Sequence, residues 1–216
     1  MSAWTRLAEP LRLFNLFLLS MGLFQVVVVN IAPLEAGALG PDHWRSAQRR
    51  LVVVDKTGDR GWQQATRHAV DVWNQAAGPT GVRLTWTTGS GTCSPDRVRI
   101  SVCTASAARL GGGRTANRQG RADVELDPDG HNLGAFVLVC SDCRPSEARR
   151  RVIATHEIGH TLGLSHTPRL SSVMLHTGGA ERPDDLDAAE VRSLYEHVDG
   201  PLRCGVFNLR LGTFCL

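Results

Sequence analysis

The stretch HEIGHTLGLSH, from His156 to His166, decides how this chain is read. On a helix, residues four apart stand nearly above one another, so His156 and His160 present their imidazoles from one face at a spacing that suits a single metal ion. Glu157 lies one step round, clear of the metal but near enough to take a proton from a water that the metal acidifies. Gly163, three residues past His160, can adopt the left-handed conformation that ends a helix and turns the chain. The turn returns His166 as a third nitrogen ligand. Three protein ligands with a fourth position left for water is the arrangement of a catalytic zinc rather than of a closed structural one. A bare HExxH arises easily by chance, and the added glycine and third histidine are what make the motif specific.

This extended pattern resembles the signature of the metzincin metallopeptidases. In the following segment SSVMLHT, Met174 comes eight residues after His166, where the resemblance places the methionine turn that underlies the zinc. Alone, Met174 would be read as gap-filling core. RPDDLDAAEVRSLY, Arg182 to Tyr195, is similar to the C-terminal helix of the matrix-metallopeptidase-like branch. Asp184 and Asp185 also suit a helix start on physical grounds, because carboxylates there face the positive end of the dipole. The detailed likeness covers residues 151–195, and upstream it is one of layout.

The resemblance implies an α+β fold of the metzincin-like zincin kind. Expected are a twisted, mostly parallel mixed sheet of five strands or so with one antiparallel edge strand, two backing helices and a small C-terminal subdomain carrying a third. It also implies peptide-bond hydrolysis with Zn2+ on His156, His160 and His166 and Glu157 as general base. One departure concerns His176, two residues past Met174, where some branches carry a tyrosine that reaches the zinc or the developing oxyanion. His176 is read either as such a donor or as an exposed loop histidine.

Working outward, LVVVDKT from Leu51 reads as a buried strand rich in β-branched residues. Between Gly61 and Ala77 the apolar residues Trp62, Ala65, Ala69, Val70, Trp73 and Ala76 recur at helical steps, so the tryptophans belong to a core stripe. Gly78 and Pro79 end that helix, and VRLTWTT and the stretch from Arg97 to Thr104 alternate as strands. LGGGRTANRQG, Leu110 to Gly120, has no periodicity and reads as a surface loop. ADVELD, Ala122 to Asp127, sits where the metzincin resemblance places the edge strand beside the zinc, and such an edge can hold an extended peptide by β-augmentation. DPDGH contains Asp127, Asp129 and His131, a set that calcium or a second zinc could use, but turn chemistry explains the same letters and calcium is not supported. AFVLVC from Ala135 is the last strand. Ser146 and Glu147 open the zinc helix, with Arg149 to Arg151 read as a solvated face.

The N-terminal residues 1–38 have another character. Arg6 and Arg12 precede an apolar run from Leu13 to Ala32, the layout of an export signal, with Ala36 and Ala38 as a cleavage pattern. An uncleaved membrane anchor is the rival, since the run approaches the ~20 residues that span a bilayer. The expected organisation is therefore a signal peptide or anchor in 1–38 and a catalytic domain in 39–216, secreted, with membrane contact only if 1–38 stays attached. Six cysteines after residue 38 fit an oxidising compartment. Proximity favours Cys93 with Cys103, Cys140 with Cys143 and Cys204 with Cys215, and a redox pair or half a zinc knuckle is the alternative for the CxxC. The lead-in from Leu39 to Arg50 has no segment fitting the long propeptide of many metzincins, so latency by a cysteine switch is not expected. A net charge of +3 gives no reason to expect nucleic acid, and a monomer acting on an extended peptide is the expectation. Two rivals share the motif: a zinc amidase acting on a non-protein amide, and a zinc-bound domain that binds without cutting.

Overall fold

The computed structural model describes residues 43–111, 118–196 and 199, together with the backbone of 204–205 and 214–215. The chain divides into two units, Met1–Ala38 and Leu39–Leu216. The first, on which the signal or anchor expectation falls, lies outside the described residues, as do residues 112–117 of the glycine-rich loop. Among the described residues no helix is long and apolar enough to cross a membrane.

Strand β1, Arg50–Asp55, alternates as its sequence demands, with Leu51, Val53 and Asp55 buried. Helix α1, Arg60–Ala77, begins where the Asp59 carboxylate accepts the Trp62 backbone N–H. It buries the predicted stripe, Trp62 and Trp73 included. Gly78 is still right-handed, so the helix runs on into a 3₁₀ turn, and the left-handed residue that releases the chain is Gly81, at φ 82°. β2 (Arg83–Thr88), β3 (Arg99–Ala105), β4 (Gly120–Leu126) and β5 (Asn132–Cys140) complete a five-stranded sheet in the order β2-β1-β3-β5-β4. Every pairing is parallel except β4 with β5.

That exception follows from the short turn joining the two strands. Asp127 Oδ1 accepts the N–H groups of Asp129 and His131 at 2.9 Å each, and Gly130 takes φ 84°. Arg45 donates to both Asp127 and Asp129 at 2.7 Å. These carboxylates thus do turn work, and the hairpin leaves β4 as the sheet edge beside the zinc motif. Leu110, at the start of the loop predicted to lie on the surface, is instead fully buried against Ala105 and Cys140.

Helix α2, Glu147–Thr161, is capped by the Ser146 hydroxyl and packs on α1 and under β4 and β5. Its last carbonyl, on Thr161, accepts from the Trp44 indole at 2.8 Å and from Asn132 at 3.1 Å, which fixes the end that carries the histidines. Helix α3, Asp185–Glu196, starts with a reciprocal cap: the Asp187 N–H donates to Asp184 at 2.7 Å and the Asp184 N–H to Asp187 at 3.1 Å. The fold is the expected α+β arrangement. Cys93 is bonded to Cys103 and Cys140 to Cys143. Cys204 and Cys215 pair as backbone neighbours in a short ribbon, β6 (Cys204–Gly205) and β7 (Phe214–Cys215); a bond between them concerns side chains outside the described residues.

Candidate active site

His156 and His160 stand one helical turn apart on α2. Gly163 takes φ 99°, its N–H closing on the His160 carbonyl at 3.0 Å and the Leu164 N–H on that of Gly159 at 3.2 Å. The turn swings His166 back toward the helix. The three Nε2 atoms converge: His156 lies 3.2 Å from His166, and His160 lies 3.1 Å from each of the others. The far nitrogens are also engaged, His156 Nδ1 on the Val173 carbonyl and His160 Nδ1 on the Leu164 carbonyl, both at 2.8 Å.

A carbonyl can only accept, so both Nδ1 atoms carry hydrogen and both Nε2 atoms present lone pairs. Two lone pairs facing each other at 3.1 Å repel unless a cation lies between them. Tetrahedral zinc with nitrogen ligands at ~2.05 Å would set them about 3.3 Å apart, so the residues fit the ion. The protonation states agree. Burial, with the neighbouring His156, pushes His160 down to about 4, and burial also lowers His156 and His166, keeping all three in the neutral, ligating form at neutral pH.

Met174 is fully buried against α2. It lies so close to α2 that a Cβ on Gly159 would sit 2.5 Å from its sulfur and 2.8 Å from the Trp73 ring. Gly159, the fourth letter of the motif, is therefore a packing requirement. The segment before Met174 is pinned by Asp187, which is fully buried. Its carboxylate accepts from Ser172 Oγ at 2.5 Å, Arg169 at 2.6 Å and the Val173 N–H at 3.0 Å. Asp187 thus holds the residue whose carbonyl orients His156. Sequence reasoning took Asp184 and Asp185 as the helix start and passed over Asp187, although its place three residues after Asp184 was the available signal.

Glu157 is buried between α2 and β4. A Cβ on Gly120 would lie 2.5 Å from its Oε1, so a glycine at the first position of the edge strand is what admits the carboxylate. Burial pushes Glu157 up to about 8, against the charge of Arg118 and the Ala122 N–H. A cation held by the histidines is the charge that favours its ionised form. The histidines and Glu157 open onto a cleft of about 670 Å³. His176, exposed, stands edge-on to His166 with ring centroids 4.7 Å apart and lines the same cleft. The arginines 149 to 151 do not form one solvated face. Successive helical residues point about 100° apart, so Arg150 pairs with Asp59 at 2.6 Å, Arg151 with Glu181 at 2.8 Å, and Arg149 turns into the cleft.

The site's parts and order match a known family. The family described as Matrixin, peptidase family M10, matches over residues 54–196. The chain belongs to the matrixin family. This matrixin is accordingly a zinc-dependent metallopeptidase of the metzincin group at the family level, and its histidine cluster is the candidate for the zinc that the family implies. Among curated proteins none matches. Among solved structures, archaemetzincin from Methanopyrus kandleri is similar at 13% identity and a TM-score of 0.48, covering 72% of this chain and 97% of that one.

Proposed function

We propose that this matrixin is an exported endopeptidase in which His156, His160 and His166 hold the zinc and Glu157 is the general base. The observation that carries the reading is the convergence of three imidazole nitrogens, two of them with lone pairs exposed by backbone hydrogen bonds, next to a buried carboxylate at the sheet edge. Zinc, when bound, supplies Lewis-acid polarisation of the scissile carbonyl and a water of lowered pKa.

The chain's own residues do the rest. The Val173 and Leu164 carbonyls fix the ring planes of His156 and His160, and Asp187 and Met174 fix the segment that carries Val173. Glu157 accepts the proton of the attacking water and passes it to the leaving amine, so no covalent intermediate is formed. Its burial keeps bulk water from competing for that proton. The outer side of β4, which has no further strand beside it among the described residues, pairs with the substrate backbone as an added strand, which selects extended chain. His176 donates toward the oxygen that gains charge. Export rests on the arginine-flanked apolar run of 1–38 and on the two disulfides, which an oxidising compartment favours. Membrane attachment applies only if that run is retained.

The test is to incubate the purified protein with casein and map new termini by mass spectrometry. New α-amino and α-carboxyl ends that vanish with a chelator and with Glu157→Gln support the reading. Release of ammonia or of a non-protein acyl group without backbone cleavage would point to an amidase instead.

A further inference from the structure

The cleft is electrostatically lopsided. Among its described lining residues Glu157 is the only carboxylate, whereas Arg118, Arg121 and Arg149 all face the opening. Arg121 is paired with Asp123 at 2.5 Å; Arg118, whose charge acts on Glu157 from a distance, and Arg149 form no ion pair among the described residues. Arg149 is the informative one. Its neighbours Arg150 and Arg151 are both neutralised by carboxylates. Arg149 is held by neutral groups instead: Nε donates to the Gln119 side chain at 2.8 Å and Nη1 to the Thr177 carbonyl at 3.2 Å.

These partners immobilise the guanidinium without cancelling its charge, and Nη2 donates to neither of them. The guanidinium also lies against the backbone of Gly178, where a Cβ would run into it and where φ is 78°, so the chain has made room for it. Arg149 precedes His156 by seven residues on α2, which places it roughly 10 Å along the helix from the metal site. A side chain one or two residues beyond the scissile bond of an extended substrate spans that distance.

Resting on the peptidase reading, we propose that Arg149, framed by Gln119, Thr177 and Gly178, forms a subsite for a carboxylate of the substrate, so that the enzyme prefers peptides acidic just past the cut. The carboxylate can come from an Asp or Glu side chain or from the chain terminus. An immobilised guanidinium loses little further entropy on binding and can donate to a carboxylate bidentately through Nη2 and the remaining Nη1 hydrogen, which separates Glu from isosteric Gln.

The experiment uses peptides built on a site the enzyme cuts in casein, C-terminally amidated, with Gln or Glu at each of the three positions after the cut, plus neutral peptides ending there in a free carboxylate. Expected is a preference in kcat/KM for the carboxylate peptide of about 10- to 100-fold at one position. The preference should fall toward unity in Arg149→Gln, survive in part in Arg149→Lys and shrink with added salt. The inactive Glu157→Gln protein should show the same ranking in peptide Kd. A gain confined to free-carboxylate peptides assigns the subsite to chain ends, and a gain in amidated Glu peptides assigns it to side chains. Equal cleavage of Gln and Glu peptides at every position with no gain from a free terminus, or a ratio unchanged by Arg149→Gln, overturns the proposal. A merely structural Arg149 would slow all peptides alike and leave the ratio intact. Failure of the wild type to cut casein or any peptide counts against the peptidase reading itself.

Discussion

Replacing Asp187 by Ala should damage stability and metal binding together, for one structural reason. Asp187 is fully buried and accepts from Ser172 Oγ, Arg169 and the backbone N–H groups of Val173 and Asp184. Its removal leaves those donors without their acceptor, with Arg169 retaining a 3.4 Å contact to Asp184 and a 3.3 Å one to the Thr167 hydroxyl. Stranded buried donors at about 1–3 kcal/mol each, partly relieved by entering water, give a loss of about 3–5 kcal/mol. The Val173 carbonyl, which fixes His156, is then free to drift, and loss of such a partner typically weakens metal affinity about 10- to 100-fold. Urea unfolding of the zinc-free protein measures the first effect, and zinc affinity against a competing chelator measures the second. Leu194→Ala, in the core on the same helix, is the control: it should cost about 2–5 kcal/mol yet leave the affinity of the folded protein unchanged. Asp187→Asn, keeping one acceptor oxygen, should fall between. A loss in Asp187→Ala below about 1 kcal/mol, or a zinc affinity no weaker than that of Leu194→Ala, refutes the reasoning.

Gly120→Ala places a methyl 2.5 Å from Glu157 Oε1, so turnover of casein should fall sharply while zinc content stays at the wild-type level; equal loss of both would mean the strand, and not the carboxylate, had moved. His176→Ala should lower kcat by about 10²- to 10³-fold, the cost of a lost oxyanion donor, whereas an unchanged rate returns His176 to the role of a loop residue. Acid stability follows from Asp59, which the Trp62 N–H and then Arg150 hold below the usual carboxylate range. A carboxyl depressed in the folded state contributes stability that is present above its unfolded pKa and lost as pH falls through the folded value. The Asp59 contribution, read as the difference in urea midpoint between the wild type and Asp59→Asn, should therefore be constant above pH ~5 and shrink below pH ~4; a difference that does not change with pH contradicts this.

Much of this molecule is legible because its local signals and tertiary roles agree. The histidine spacing, Gly163 and Met174 announce a convergence that only a helix followed by a left-handed turn can produce, and the apolar stripe of α1 reads directly as its buried face. The strand order does not follow from periodicity, since alternation shows that a strand is half-buried and not which strand it pairs with; the family likeness had to supply it. What stayed hidden are residues whose meaning lies in contacts distant in sequence. Gly159 looks like an ordinary letter of the motif until Met174 and Trp73 are seen against it. Asp187 looks like one more acidic residue in a first turn until Ser172 and Val173 arrive at its carboxylate. The run Arg149 to Arg151 looks uniform because a one-dimensional reading does not show that each arginine meets a different partner. Gly78 follows the last residue of α1 as the sequence predicts, and only the left-handed turn falls later, at Gly81, because a glycine marks where a chain can turn and the backbone decides which of two is used.

The most direct test of the central claim is zinc stoichiometry measured together with casein cleavage during re-addition of zinc to chelator-stripped protein, for the wild type, Glu157→Gln and His160→Ala. Cleavage by the wild type should rise linearly and level off at one zinc per chain; Glu157→Gln should take up the same equivalent without cutting, and His160→Ala should take up little. Cleavage that survives stripping, or a full equivalent of tightly held zinc in His160→Ala, would contradict the account.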